Sequence, residues 1–158
     1  MTLKAKKSTT RAQQGRFEII SHEGSKILIL NYSACNRSDA WALTNYFQEW
    51  IARQDSKNLK ILLDFEGFFL DPIHLNYVKK TLGIHDKFIK RSAIINVAPL
   101  MASMLQTLRG FANFMGVSMK KERGVIFQSK AEALDWLVGN SKLKKTKLPL
   151  KLSKNKNL

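Results

Sequence analysis

Cysteine is almost missing from this chain. Cys35 stands alone among 158 residues, which excludes an intramolecular disulfide and suits a reducing compartment. Proline occurs three times, as Pro72, Pro99 and Pro149. Histidine also occurs three times, as His22, His74 and His85, and these share no metal-ligand spacing. Phosphate loops are absent, since no GxxxxGK occurs and no GxGxxG follows a strand. No apolar run reaches the roughly 18 residues needed to span a bilayer, and no signal-peptide h-region follows the first Met. These absences point to a cytoplasmic protein without a cofactor.

Acidic residues are the scarcer charge, twelve against 27 basic, for a net charge of +15. All twelve lie between Glu18 and Asp135, a span nearly balanced by its own Lys and Arg. The surplus sits in two arms. Residues 1–16 hold five basic residues, and Lys142 to Lys156 hold seven, with no acid in either. An N-terminal arm this short and Lys-rich is a poor transit peptide. Both arms are expected to be disordered, leaving residues 17–140 as one domain with a single core. Specific nucleic-acid recognition is not expected, because the tail has no aromatic residue for stacking. Its Lys and Leu mixture suits a lipid or anionic membrane surface better, each Lys contributing about 1 kcal/mol before ordering costs.

Hydrophobic patterning then gives the elements. Runs at 17–22 and 26–32 read as a hairpin turning through Glu23-Gly24-Ser25. Ser38 is placed as the N-cap of a helix reaching about Gln54, with Leu43, Tyr46, Phe47, Trp50 and Ile51 on its apolar face. Leu59 to Phe65 is a near-continuous apolar strand. Asp71 follows as an N-cap, with Pro72 at the first helical position, where a missing N–H costs nothing. Ile73, Leu75, Tyr77, Val78 and Leu82 form that helix's apolar side. A strand at 92–97, a Met-rich helix from Pro99 to about Met115, and a strand at 123–128 come next. Ser129 to Glu132 is a capping box opening a last helix that stops at Gly139. The order ββαβαβαβα predicts an α/β fold: one five-stranded, mostly parallel sheet with helices on both faces.

Three strings in that order carry a resemblance: ILLDFEGFFLDPIHL, then RSAIINV, then VIFQSKAEALDWL with Phe127, Glu132, Ala133, Trp136 and Leu137. They resemble the STAS superfamily, and within it the SpoIIAA-like branch, over about residues 17–140. The resemblance implies a non-enzymatic regulatory fold that binds a protein partner. In the anti-sigma-factor antagonists of this superfamily, the strand-to-helix turn carries a Ser whose phosphorylation releases the partner. The matching position here is Pro72, followed by Ile73 and His74, and no hydroxyl stands there. The phospho-switch is therefore not carried over. The arrangement also resembles the CRAL-TRIO lipid-binding proteins, which makes Met101, Met104, Phe111 and Phe114 candidate lipid-facing residues. At helical spacing such a stripe is more often core, and Phe114 alone lies off it.

No catalytic constellation is expected. Asp64 and Glu66 project to one side of a regular strand but lack a nucleophile, and Asp64 reads better as a buried acceptor of backbone N–H groups. Ser33 and Cys35 have no placed base. Asp71 and His74 read as a local cap. The candidate binding residues are Ser33, Glu66, Asp71, Pro72, His74 and Asn96, all at strand ends or helix starts, where ligands and partners bind in parallel sheets.

Overall fold

The chain is described by a computed structural model covering residues 15–69, 71, 73–74, 77, 86–103, 105–106 and 122–140. Strands β1 (Phe17–His22) and β2 (Ser25–Asn31) form the hairpin. Its register pairs His22 with Ser25, leaving only Glu23 and Gly24 in the turn. Both have positive φ, 46° and 76°. A two-residue type I′ turn needs that backbone to match the strand twist.

Helix α1 (Arg37–Ile51) follows. Its N-cap is Asn36 and not Ser38: the Asn36 carboxamide oxygen accepts from the Asp39 backbone N–H at 2.8 Å. Leu43, Phe47 and Ile51 are buried as the periodicity requires, while Tyr46 and Trp50 close edge-on over Phe17.

β3 (Leu59–Asp64), β4 (Ile89–Ile95) and β5 (Val125–Phe127) complete the sheet, and α2 (Lys130–Val138) is the last described element. β4 starts three residues before the expected 92. Register shifts between Leu59↔Ile89 and Lys60↔Arg91, leaving Lys90 without an opposite number. That extra residue breaks the alternation by which the segment would have been read as strand. Ser129 caps α2 by accepting from the Glu132 N–H. Gly139, at φ 90°, ends the helix, with Gly139 and Asn140 donating to the carbonyls of Trp136 and Asp135.

The spatial order is β1-β2-β3-β4-β5, antiparallel between the first pair and parallel thereafter. A chain that always steps the same way across a parallel sheet puts its right-handed crossovers on one face. The two cores reflect this. On the crossover face α1 and Met101 pack on Leu28, Leu30, Ile61 and Ile94. On the other, Ala133, Trp136 and Leu137 of α2 pack on Ile27, Ile29, Leu62, Ala93 and Ile95. Alternate residues of β2 thus serve opposite cores, which is why the strand reads as continuously apolar. The sequence expectation of a mostly parallel five-stranded sheet covered on both faces holds. No described helix is long and apolar enough to cross a membrane.

Candidate functional site at the strand carboxyl ends

Parallel strands bring the loops after β2, β3 and β4 to one end of the sheet, and backbone bonds tie them together. Tyr32 N–H donates to Asp64 O and Ala34 N–H to Glu66 O, both at 2.8 Å, and Phe65 N–H reaches Ile95 O at 3.2 Å. The loop after β3 turns at once: Phe68 N–H donates back to Phe65 O, with Gly67 at φ 64° in the third position. That region favours glycine. Two non-glycine residues of the neighbouring loops, Ala34 (φ 49°) and Asn96 (φ 57°), are also left-handed. Such residues persist where surrounding bonds over-determine them. Asn96 has that support, its Nδ2 donating to Asp64 Oδ1 at 2.9 Å.

These loops shape an open depression of about 350 Å³, lined by residues 65–69 and 96–98. The lining is largely aromatic and aliphatic, with Glu66 and Asn96 supplying the polar groups.

Of the expected binding residues, Glu66 and Asn96 meet at this depression. Ser33 is not part of the lining. Its N–H bonds Asn31 Oδ1 at 2.9 Å, and its carbonyl accepts from an Arg16 guanidinium nitrogen at 2.7 Å. Asp71 caps the helix start as read: Oδ1 accepts from His74 N–H at 2.8 Å, and Oδ2 takes Arg37 Nε at 2.9 Å. The first bond holds the Asp71 carboxyl below its ordinary range, and Arg37 adds to the effect. Asp64 ends its strand half-buried, accepting from Glu66 N–H as well as from Asn96, so it forms no free pair with Glu66. Pro72, Met104, Phe111 and Phe114 lie outside the described residues, as do residues 1–14 of the N-terminal arm and the whole C-terminal arm.

His74 faces inward, with only 1% of its surface exposed. Its ring stacks on Trp41, centroids 5.2 Å apart and planes at 14°, and its Nε2 lies 3.2 Å from Thr44 Oγ1. Tyr32 Oη lies 2.8 Å from the same hydroxyl, which donates its one proton to Ala40 O. Thr44 must then accept from both rings, so Tyr32 donates and His74 carries its proton on Nε2. Burial pushes the Tyr32 hydroxyl pKa up and that of His74 down. Arg37 also lowers His74, and Asp71 opposes the shift.

Sequence reading missed the partners of this helix start. Arg37, Trp41, Thr44 and Asn45 contact Asp71, His74, His74 and Tyr77 respectively. They recur at i, i+4, i+7 and i+8, a second stripe beside the apolar face of α1. Three are polar or charged, so hydrophobic periodicity passes over them. Phe69 was not singled out either, although it lines the depression and is half exposed. Met101 is buried in the crossover-face core, and Leu100 beside it is exposed instead.

A pH effect follows from His74. Its lowered pKa means the unfolded chain takes up a proton that the fold refuses. Stability is therefore fully present above the ordinary value of 6.5 and falls as pH drops from there toward the lower folded value. Asp71 acts in a lower window: its contribution holds above 3.8 and is lost as pH falls through its depressed folded value. Urea midpoints of the wild type should fall between pH 7.5 and 5.5, and those of His74→Phe should fall less. Equal slopes in the two proteins would remove His74 as the cause.

The fold is STAS-like. An anti-sigma-factor antagonist (STAS) domain protein from Planctomyces limnophilus superposes with a TM-score of 0.53, at 14% identity, covering 77% of this chain and 97% of that one. No family model matches the sequence, and no curated protein matches it. The superposition agrees with the mostly parallel five-stranded sheet and with the STAS-like fold that the resemblance implies.

Proposed function

We propose that residues 17–140 form a non-enzymatic binding module. It docks a protein partner on the loops at the carboxyl ends of β2, β3 and β4, without a phosphorylated Ser at the helix start. One observation carries this reading. Among the described residues four large hydrophobic side chains stand exposed, and three of them, Phe69, Ile73 and Leu100, follow β3 and β4 at that end. Scattered exposed apolar residues are ordinary, but Phe69 lines the depression and Leu100 follows its lining residue Ala98 by two positions, and apolar exposure gathered at one end of the sheet supports an interaction surface there. The cross-loop bonds at Ala34 and Asn96 support a preformed surface, which lowers the ordering cost of binding. The fold supports a regulatory binding role, since the superposed protein is itself described as an anti-sigma-factor antagonist. Pro72 supports the absence of the switch, because phosphorylation needs a hydroxyl that this position lacks.

The test is affinity capture with the full chain, followed by Phe69→Asp and Leu100→Asp. Both side chains are more than half exposed, so each variant should keep its circular dichroism and melting temperature. Affinity for captured proteins should drop at least about tenfold, the size of a modest hot spot. Unchanged affinity in both variants would defeat the proposal.

A further inference from the structure

We propose a second site, at the opposite end of the sheet: a divalent transition-metal site of the zinc class, formed by His22, Glu23 and Asp135. The topology assembles it from distant sequence. His22 ends β1, Glu23 opens the hairpin turn, and Asp135, 113 residues after His22, lies in the middle of α2. One ligand atom from each residue lies within 4.8 Å of the other two, and His22 Nε2 stands 3.1 Å from Asp135 Oδ1. Donors around a tetrahedral zinc with bonds of about 2.0–2.1 Å stand roughly 3.3 Å apart, so Glu23 alone needs to swing inward. Its side chain is exposed and free to do so.

An ion pair between His22 and Asp135 explains two of the three groups. It does not explain why a second carboxylate is brought to the same point. Two like charges at this separation repel each other. A dication between them converts that repulsion into attraction, and the imidazole nitrogen favours zinc-like ions over magnesium or calcium, which prefer all-oxygen shells. Lys60, on strand β3, directs its ammonium to Ser25 Oγ at 2.9 Å. Three protein ligands leave a fourth position for water. The ion would fasten the hairpin to α2, across elements joined only in the folded state, so binding stabilises the fold.

The test uses the full chain, stripped with EDTA and titrated with zinc chloride by calorimetry and thermal melting. One saturable site is expected, with a melting temperature that climbs with the logarithm of zinc concentration, and no climb with magnesium chloride. His22→Ala and Asp135→Asn should each weaken zinc at least about tenfold, no less than the loss of a supporting outer-shell partner. Cys35→Ser should bind as the wild type does. Glu23→Gln is the decisive variant, because an exposed turn residue can lose its charge without harming the fold. Zinc affinity unchanged in Glu23→Gln, or the absence of saturable binding in the wild type, would overturn the site.

Discussion

Thr44→Val is expected to cost about 2–6 kcal/mol of stability, although it keeps the shape of the side chain and creates no cavity. The loss comes from what the hydroxyl was doing. Thr44 Oγ1 is the shared acceptor for Tyr32 Oη at 2.8 Å and His74 Nε2 at 3.2 Å, while donating to Ala40 O at 2.8 Å. Valine leaves both ring donors buried and unpaired, each costing about 1–3 kcal/mol. Helix propensity barely differs between Thr and Val, so α1 itself should not suffer. For a domain of this size each kcal/mol lowers the melting temperature by about 2–4 °C. Thermal melts of Thr44→Val and Thr44→Ser decide it. Serine restores the hydroxyl and should recover most of the loss. A valine variant as stable as the wild type would show that the three groups are not coupled as the geometry requires.

Trp136→Ala is expected to lose about 3–5 kcal/mol, the usual cost of emptying a buried indole. Trp136 is 3% exposed and is the largest of the buried side chains of α2, in the core on that face of the sheet. Phe127 packs on it at 5.3 Å between centroids, and the Arg91 guanidinium lies 5.2 Å over its ring. That cation is more than half buried against the indole. Its bond to the Trp136 carbonyl, 2.7 Å, survives the substitution because it goes to backbone. The prediction therefore isolates packing from hydrogen bonding. Urea unfolding followed by circular dichroism measures it. A loss below about 1 kcal/mol would mean that the α2 face of the sheet closes over the void.

The contrast between these two positions shows how far the fold and site were legible. Trp136 was readable, since Ser129, Ala133, Trp136, Leu137 and Gly139 combine a cap, an apolar stripe and a stop. β2 and β3 were readable for the same reason, their apolar runs being what a sheet covered on both faces demands. Asp71 was readable as a cap because capping is local in sequence. Thr44 was not. Its role depends on Tyr32 and His74, which lie 12 and 30 residues away, and a polar residue in a helix carries no periodic signal of burial. His74 looked like a surface group for the same reason: a lone histidine at a helix start gives no indication that Trp41 will cover it. The meeting of Glu66 and Asn96 was legible as strand-end proximity. The exposed trio of Phe69, Ile73 and Leu100 was not, because apolar letters in sequence suggest interior positions.

Lys90 bears on a different matter, the inheritance of this chain. Without it, Ile89, Arg91, Ser92, Ala93, Ile94 and Ile95 would alternate cleanly, with Ile89, Ser92 and Ile94 toward α1 and the others toward α2. The strand carries one residue more than its pairing uses, and the surplus is let out at an exposed position. Elsewhere in a buried strand, gaining or losing one codon would exchange the two faces of everything beyond it. At residue 90 it would change chain length alone. Relatives of this protein can be expected to differ in length at that point while keeping every core contact of β4.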